Sequence, residues 1–330
     1  MALASGLAAR PIILGMVGDS ATGKSTLSRG IARLLGPERV AILCTDDYHR
    51  YNRQQRKDLR ITPLDPACNY LDIMSQHLQL LRAGEAILKP HYDHSLGDFG
   101  PPQYIVPRPF LIVEGLLGFY RQEMRNAYSV HVYLDPPESL RRRWKISRDT
   151  TRRGYAETEV LRELDQREHD SAAYIRPQRE HADLIIAFYP DEDSPSGAQE
   201  DAHLNVRLTL NGTLRHPELH KVIAQDDSGC VRSILGREGG RAVEYIEIDG
   251  SIPAAPARAL ERFILQQLDA AGASSPEYLG EYDYHRGNGS GSEAGYEPVH
   301  EPGHSHPLAL TQLLLVYHLL RAKQQDEAEA

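Results

Sequence analysis

The stretch GMVGDSATGKST, residues 15–26, decides how this sequence is interpreted. Four residues separate Gly18 from Gly23, and Lys24 and Ser25 follow immediately. Glycines at this spacing permit a tight turn whose backbone N–H groups converge on phosphate oxygens. The apolar run before the turn predicts a buried strand, and the helical spacing of apolar residues after it predicts a helix. Since strand, loop and helix occur in this order, we predict a phosphate-binding loop rather than a chance glycine-rich turn.

The residue types in this loop predict ATP and Mg²⁺ as its ligands. A lysine after the second glycine neutralises the β- and γ-phosphates, and the hydroxyl group after it ligates the metal ion. We therefore expect Lys24 at the phosphates and Ser25 at Mg²⁺. The predicted ATP-binding residues are consecutive in the chain: Gly18, Asp19, Ser20, Ala21, Thr22, Gly23, Lys24, Ser25 and Thr26.

The composition of the 330-residue chain argues against several classes of protein. Its formal net charge of −9 is untypical of a general nucleic-acid-binding protein. Three cysteines are too few for a disulfide scaffold and favour a reducing compartment, so we expect a cytoplasmic protein without a signal peptide. The most apolar segment, residues 308–320, is too short to cross a bilayer, and we expect no membrane partner.

Strands and helices alternate through the first half of the sequence. Alternation of this kind predicts an α/β fold of the P-loop NTPase type, with a doubly wound, mostly parallel sheet and helices on both faces. We predict a P-loop kinase core at residues 1–204 and a C-terminal α+β extension at 205–330, in which added strands and helices pack on the core. Apolar runs predict the core strands at residues 11–17, 39–47, 108–115, 129–135 and 182–190.

Within the extension, the stretch NVRLTLNGTLR (205–215) predicts a hairpin with a turn at Asn211-Gly212. Residues 242–250 alternate like a half-exposed strand, and residues 256–270 have the spacing of an amphipathic helix. No motif of an active site is apparent in this region.

Acidic residues stand at the ends of two predicted strands. Asp46 and Asp47 end the second strand, and Glu114 ends the third. The carboxyl ends of parallel strands meet at one edge of a sheet, so we expect these acids around the γ-phosphate. Phosphoryl transfer needs an acid for the metal ion and often a base for the acceptor hydroxyl. A purely structural role in a turn stays open, above all for Asp47.

Two basic segments flank this predicted site, at residues 46–58 and 141–154. Guanidinium groups bind phosphate with two hydrogen bonds, so an acceptor that itself carries a phosphate would explain both segments. Lys145 and Arg148 share a helix face, and Arg153 precedes a glycine where a lid could begin. For residues 141–143 we favour a solvated helix face.

Seven stretches resemble the phosphoribulokinase family, in the form found in cyanobacteria and plants. They occur in the order and spacing of that family: GDSATGKST, CTDDYHRYNRQQRKD, ITPLDPACNYLD, KPHYDHSLG, LIVEGLLGFY, WKISRDTTRRG and SAAYIRPQREHADLII. The resemblance is strong over residues 11–190 and weak beyond. It implies transfer of the γ-phosphate of ATP to O1 of ribulose 5-phosphate, giving ribulose 1,5-bisphosphate and ADP. It also implies a homodimer that continues the sheet across subunits.

The resemblance implies roles for individual residues. Asp46 matches the general base that takes the hydroxyl proton, and Glu114 matches the second acid, which serves Mg²⁺. Lys24 and Arg153 complete the expected catalytic set. The residues that match contacts to the sugar phosphate are His49, Arg53, Lys57, Tyr92, His94, Lys145, Arg148 and Arg153.

The chain departs from the family pattern at several positions. Thr22 stands where the light-regulated form has a cysteine, while the usual partner of that cysteine is retained as Cys44. The C-terminal cysteine pair is replaced by GREGGR (236–241). A thioredoxin-controlled disulfide and a redox-controlled assembly with glyceraldehyde-3-phosphate dehydrogenase are therefore not expected. Leu117 replaces a usual histidine, and residues 167–171 read REHDS where RKPDF is usual.

Three other functions remain open from the sequence. A uridine or cytidine kinase shares the loop and the acid after the second strand, but a nucleoside carries no phosphate for two basic segments to bind. A kinase of another pentose phosphate would keep the same residues. A non-catalytic nucleotide-binding scaffold would be expected to lack Lys24, Ser25, Asp46 or Glu114, and all four are present.

Overall fold

One sheet of eight strands organises the molecule. The computed structural model describes residues 10–191, 203–268, 279–282 and 303–329, without the side chains of residues 152, 153, 268 and 329. The strands are β1 (Ile12–Val17), β2 (Val40–Cys44), β3 (Ile87–Asp93), β4 (Asp98–Ile105), β5 (Phe110–Gly115), β6 (Val130–Leu134), β7 (Leu184–Tyr189), β8 (Asn205–Asn211), β9 (Val231–Glu238), β10 (Arg241–Ile248), β11 (Glu281–Tyr282) and β12 (Gly303–His304).

The main sheet has the order β2-β5-β1-β6-β7-β8-β10-β9. Strands β2, β5, β1, β6 and β7 run parallel, and the last three strands pair antiparallel. Strand β8 pairs directly with β7, so the C-terminal part of the chain extends the same sheet. The prediction of an α/β fold with a mostly parallel sheet and added C-terminal elements is confirmed.

Helices cover both faces of this sheet. They are α1 (Lys24–Leu35), α2 (Arg53–Leu59), α3 (Leu71–Arg82), α4 (Gln122–Arg125), α5 (Glu138–Arg153), α6 (Glu157–Asp170), α7 (His220–Ile223), α8 (Ala254–Leu268) and α9 (His306–Glu329). Helices α1, α8 and α9 pack in one apolar core, and α3 and α4 pack in the other. Among the residues that the structure describes, no helix has the length and apolar content to cross a membrane.

The apolar run of β1 serves both cores. Ile12, Leu14 and Met16 point into the core that contains α1, and Ile13 and Val17 point into the opposite one. A central parallel strand is buried on both faces, which is why its sequence shows no alternation of apolar and polar residues. Helix α9 is buried on all sides over residues 307–320, and this explains its lack of a polar face.

The one hairpin predicted from the sequence was wrong, and two others were not predicted. The chain turns after Asn211 but does not return as a strand at residues 213–215; β8 instead pairs with β7 and β10. Conversely, β3 and β4 form an antiparallel hairpin that the sequence had not indicated. Strands β9 and β10 form a second hairpin through the Gly239-Gly240 turn, which the sequence had not indicated.

Candidate active site

The glycine-rich loop joins β1 to α1 at the carboxyl edge of the sheet. Gly23 has a φ of 96° immediately before α1, in the left-handed region that favours glycine. At Gly18 a Cβ atom would lie 2.6 Å from the backbone oxygen of Leu134, so the loop passes close to β6. Ala21 also has a positive φ, of 67°, which is uncommon for a residue other than glycine and typical of functional loops.

Lys24 turns back over its own loop. Its Nζ atom donates to the backbone oxygens of Gly18, at 2.7 Å, and of Asp19, at 2.6 Å. Burial lowers the pKa of Lys24, although Glu114, Asp46 and Asp19 oppose that effect by their negative charge. The ammonium group thus lies among the acids of the site.

Glu114 is fixed by two hydroxyl groups of α1. Its Oε1 atom accepts a hydrogen bond from Ser25 at 2.9 Å, and its Oε2 atom accepts one from Ser28 at 2.8 Å. Strand β5 lies between β1 and β2, so Glu114 stands beside the loop. Ser28, which the sequence analysis did not single out, therefore orients the predicted metal ligand from one turn further along the helix.

Asp46 and Asp47 follow β2 in a 3₁₀ turn, Thr45–Tyr48, rather than ending the strand. Asp47 is buried and bonds inward to Lys89, to His91 Nδ1 at 3.2 Å and to the backbone N–H of Tyr92 at 2.9 Å. Asp46 instead lines the cleft above the loop. The structure therefore separates the two acids into one that holds the β3–β4 hairpin and one that faces the cleft.

Basic side chains surround Asp46. Its carboxylate lies 3.6 Å from His94 Nε2. Burial raises the pKa of Asp46, but the nearby His49, His94, Lys24 and Arg148 together outweigh burial and bring it below the ordinary value for aspartate. Asp46 is therefore ionised at neutral pH and can accept a proton.

The β3–β4 hairpin and α2 supply a polar wall next to Asp46. The ring of Tyr92 meets His49 and His94 edge to face, with ring centroids 4.9 Å and 5.1 Å apart. Its hydroxyl accepts a hydrogen bond from Arg56 at 2.6 Å, a residue that the prediction did not include. Arg53 donates to the backbone oxygen of His94, so α2 is tied to the hairpin.

Lys57 lies on the exposed face of α2 and also lines the cleft. Within the described part of the chain its ammonium group has no ion-pair partner. An exposed, unpaired lysine at the mouth of a cleft is suited to attract an anion, which agrees with the contact predicted for it.

Helix α5 brings a buried ion cluster to the cleft. Lys145 is 2% exposed, and its Nζ atom lies 2.6 Å from Asp149. Arg148 donates to Asp149 at 2.8 Å and to the Ser20 hydroxyl of the loop at 3.2 Å. Burial raises the pKa of Asp149, but Arg148 and Lys145 bring it down to about 2. Lys145 and Arg148 thus share a face, as predicted, and Asp149 joins them.

The sequence analysis also covered Arg141 and Arg153, two further arginines of α5. Arg141 is 6% exposed and donates to the Ser20 backbone oxygen at 3.3 Å, so the interpretation of a solvated face was wrong for it. The side chain of Arg153 lies outside the described residues, while its backbone ends α5 before Gly154, which has a φ of 70°.

All these elements border one cleft of about 1350 Å³. The loop residues from Ser20 to Thr26, Asp46, Glu114 and the polar wall line it together with Lys145, Arg148 and Asp149. Tyr92 and His94 belong to it as well. The predicted substrate residues whose side chains are described are therefore gathered around one space. Gly18 and Asp19 of the loop are not among the described residues that line the cleft, and Asp19 accepts a hydrogen bond from Ser171 at 2.6 Å.

Comparison with known sequences assigns the chain to a family. The sequence model of the phosphoribulokinase / uridine kinase family matches residues 13–195. The chain belongs to this family. Phosphoribulokinase from Synechocystis is 38% identical over 181 residues, which are 55% of this chain and 54% of that protein. Chloroplastic phosphoribulokinase from spinach is 33% identical over 214 residues, 60% of this chain and 53% of that protein.

The matched stretch thus spans about half the length of these curated relatives. Among solved structures, phosphoribulokinase from Rhodobacter sphaeroides has a TM-score of 0.55 at 19% identity and covers 80% of this chain and 98% of its own. At this identity the likeness shows a shared fold, which extends beyond the matched sequence into the C-terminal elements.

The positions that depart from the phosphoribulokinase pattern lie in different surroundings. Leu117 is 2% exposed in the core next to α3, and it is not among the described residues that line the cleft. Segment 167–171 does reach the site, because Arg167 lines the cleft and Ser171 bonds to Asp19 of the loop. Cys44 lines the cleft as a free thiol.

Proposed function

We propose that this member of the phosphoribulokinase / uridine kinase family transfers the γ-phosphate of ATP to O1 of ribulose 5-phosphate. The observation that carries the proposal is the position of Asp46: an ionised carboxylate lies between a phosphate-binding loop and a wall of cations. A base beside the γ-phosphate serves any kinase of this fold. The cations around it favour an acceptor that brings its own phosphate.

The loop and Lys24 hold the phosphates of ATP. Backbone N–H groups at the start of α1 and the helix dipole favour an anion there. Lys24, which bonds to loop carbonyl groups at 2.6 Å and 2.7 Å, exchanges these partners for phosphate oxygens. Arg148 already touches Ser20 of the loop and lies on the acceptor side, so it neutralises charge on the transferring group. We assign the same role to Arg153.

Mg²⁺ fits two side-chain oxygen atoms that lie close together in the cleft. Ser25 Oγ and Glu114 Oε1 lie 2.9 Å apart, and hard oxygen donors are the ligands this ion prefers. When bound, the ion would neutralise charge on the β- and γ-phosphates. Among the described residues no group of three or more His, Cys, Asp and Glu side chains could hold a metal, and Mg²⁺ bound largely through phosphates needs none.

Asp46 acts as the general base. Its lowered pKa keeps it ionised, so it orients the O1 hydroxyl group and accepts its proton as that oxygen attacks the γ-phosphorus. Arg53, Lys57 and Lys145 attract the 5-phosphate and the charge of the transferring group, while Tyr92, His49 and His94 contact the sugar. Catalysis then rests on positioning and charge neutralisation.

Product analysis tests the proposal directly. Phosphorus NMR of the purified protein with ATP, Mg²⁺ and ribulose 5-phosphate should show ADP and a second phosphomonoester, whose splitting by two protons identifies a CH₂ attachment at C1. A new phosphate on C3, C4 or another acceptor would place the chemistry elsewhere. ATP consumption without a sugar bisphosphate would contradict the proposal.

We also propose that the protein is a cytoplasmic homodimer that does not use a redox switch. The three cysteines are free, and Thr22 cannot pair with Cys44, so assembly with glyceraldehyde-3-phosphate dehydrogenase through redox control is not proposed.

The support for a dimer is the outermost strand β9, on which Leu235 is 84% exposed and Ile234 is 44% exposed. An edge strand that exposes two large apolar side chains is suited to pair with a second copy. The expected partner in catalysis is a small sugar phosphate, with no nucleic acid or membrane.

A further inference from the structure

The cleft has two chemically different ends. The end near Asp46 is lined by cations, as described above. The other end is apolar and aromatic, lined by Trp144, Phe188, Leu204, Tyr282 and Leu308, which all belong to or pack against the core that contains α1. The phosphates and the sugar phosphate account only for the polar end, so the apolar end has no assigned ligand.

We propose that this apolar end binds the adenine base of ATP, with the indole of Trp144 as its aromatic contact and the C-terminal residues Tyr282 and Leu308 as part of its wall. The inference rests on the proposed function, because it takes ATP as the phosphate donor. It gives the C-terminal part of the chain, in which the sequence showed no active-site motif, a direct share in the nucleotide site.

The direction of the nucleotide follows from the two fixed points of the cleft. The γ-phosphate must face Asp46, and the loop around Ser20 to Thr26 holds the phosphate chain. Asp46 follows β2, whereas Phe188 lies on β7, and β5, β1 and β6 separate these two strands in the sheet. The nucleoside therefore leaves the loop on the side away from Asp46, toward the apolar end. A flat, apolar base is recognised by pockets of aliphatic and aromatic side chains.

Trp144 is held firmly enough to form one wall of such a pocket. It is half-buried and packs against the core that contains α1 and α9. It precedes Lys145 on α5, and Arg148 of the same helix bonds to Ser20 of the loop at 3.2 Å. Phe188 and Leu308 are 8% and 6% exposed, so their positions are set by the core as well.

The test uses the fact that Trp144 is the single tryptophan of the chain. Its emission should change when ATP or ADP binds and should stay unchanged with inorganic tripolyphosphate, which offers the loop phosphates without a base. Calorimetry measures binding of each ligand in parallel. ATP binding without a change in emission, or the same change with tripolyphosphate, would overturn the base pocket. An absence of ATP binding in calorimetry would contradict the proposed function itself.

A variant gives a second readout. Leu308→Ala should weaken ATP binding by about 10-fold while the dissociation constant for tripolyphosphate stays the same. The matched control is Tyr104→Ala, since Tyr104 is 70% exposed on β4 and does not line the cleft. Equal weakening of both ligands by Leu308→Ala would contradict a contact with the base.

A separate observation concerns Asn69, a residue 6% exposed after a 3₁₀ turn, Pro66–Cys68. Its Nδ2 atom donates to the backbone oxygens of Pro63, at 3.1 Å, and Asp65, at 2.9 Å. Carbonyl oxygens only accept hydrogen bonds, so the orientation of the amide is fixed. Its Oδ1 atom, 2.8 Å from His49 Nδ1, must then accept from that ring nitrogen.

This arrangement determines which nitrogen of His49 carries the hydrogen atom. Nδ1 is the donor, so in the neutral ring Nε2 keeps its lone pair. Nε2 has no partner among the described residues, and the ring lines the cleft. Burial lowers the pKa of His49, and Arg56 and His94 lower it further. Asp46 and the hydrogen bond with Asn69 raise it, but the net pKa stays below the ordinary value. The neutral ring therefore offers the cleft a hydrogen-bond acceptor.

We infer that Asn69 is a positioning residue that sets His49 to accept a hydrogen bond from a hydroxyl group of the sugar. This assigns His49 to a hydroxyl group, and leaves the phosphate to the arginines and lysines. The inference depends on a sugar as the acceptor and is independent of the base pocket.

Asn69→Leu should raise KM for the sugar phosphate by about 10-fold, with the dissociation constant for ATP unchanged. Asn69→Asp retains an acceptor for Nδ1–H and should restore part of that loss. The control is Asn211→Leu, which removes a side-chain amide that donates to Ala182 O at 2.6 Å, far along β8. An unchanged KM in a folded Asn69→Leu protein would overturn the inference.

Nitrogen NMR of the unmodified protein decides the same point without a variant. The ring of His49 should show a protonated Nδ1 and an unprotonated Nε2 at neutral pH, and addition of ribulose 5-phosphate should shift Nε2. The opposite tautomer would contradict the role of Asn69. Because this measurement needs no substitution, it holds even if Asn69→Leu does not fold.

Discussion

Asp46 and Asp47 are neighbours in the chain but belong to different parts of the protein. Asp47 is enclosed by Lys89, His91 and the backbone of Tyr92, and it holds the β3–β4 hairpin against the turn after β2. Asp46 faces the cleft, where four basic side chains outweigh the effect of burial on its pKa. The proposed mechanism therefore uses only one of two adjacent carboxylates.

Asp46→Asn is expected to lower kcat by about 10²–10⁴-fold, because an amide cannot take the hydroxyl proton. The dissociation constant for ATP should be nearly unchanged, since the phosphate loop is intact. Steady-state kinetics and calorimetry measure the two quantities. A comparable loss of ATP affinity would show that Asp46 mainly serves the nucleotide.

Asp47→Asn is the matched control and should act on stability. It leaves Lys89, which is 2% exposed, without its carboxylate, and breaking a buried ion pair costs about 3 kcal/mol. Urea unfolding measures this loss. If Asp47→Asn were fully stable and catalytically as poor as Asp46→Asn, the separation of roles would be wrong.

Cys44 is the cysteine nearest to the chemistry. Burial raises its pKa well above the usual value, and Asp46 and Glu114 add to the effect, so the reactive thiolate is disfavoured. Thr22 offers no second thiol. We expect the same activity in dithiothreitol and in a mild oxidant, measured by ADP release. A strong and reversible loss on oxidation would contradict this expectation.

At the scale of elements, α5 connects the acceptor side of the cleft to the phosphate loop. Lys145, Asp149 and Arg148 form an ion cluster in which Asp149 is 2% exposed. A carboxylate shared by two cations, one of which bonds to Ser20, keeps the helix in a fixed relation to the loop. This cluster is expected to stabilise the fold as well as the site.

The pH dependence of that contribution follows from the pKa of Asp149, about 2 in the folded protein and 3.8 as the ordinary value. A lowered pKa stabilises the folded state above the unfolded value, and the gain is lost as the pH falls from about 4 through 2. The difference in unfolding free energy between the wild type and Asp149→Asn should thus be constant from pH 8 to 5.5. A difference that falls within this range would show that another group controls the cluster.

The sequence predicted the elements that are specified by residues close together in the chain, and the strands that are buried on both faces. Strand β1 and helix α1 followed from an apolar run and a glycine spacing. The hairpin of β3 and β4 was missed because β4 is largely exposed and contains two prolines, so no alternation marks it. Asn69 and Arg141 were missed for another reason, since their partners, His49 and Ser20, are 20 and 121 residues away.

At the scale of the whole molecule, a single sheet runs from β2 at one edge to β9 at the other. The candidate active site lies at the carboxyl ends of β2, β5 and β1, and the antiparallel strands β8, β10 and β9 lead away from it. The edge strand β9 is therefore remote from the chemistry along the sheet. A change there should affect association without affecting catalysis in the subunit.

Leu235→Lys on β9 is expected to convert a dimer into a monomer, because a charge in place of an exposed apolar side chain on an edge strand opposes pairing with a second copy. Light scattering coupled to size-exclusion chromatography measures the mass, and the thermal midpoint should change little. The control Leu88→Lys introduces the same charge at a residue 62% exposed on β3 and should leave the mass unchanged. A monomeric wild type would contradict the dimer.

The most direct test of the central claim is ADP release with ATP, Mg²⁺ and four conditions in parallel: ribulose 5-phosphate, ribose 5-phosphate, uridine and no acceptor. The arrangement of Asp46 between the phosphate loop and the cations predicts rapid turnover with ribulose 5-phosphate alone. Turnover with ribose 5-phosphate or uridine instead would contradict the assigned acceptor while retaining the fold and the base. Absence of turnover in all four conditions would contradict the assignment of the protein as an enzyme.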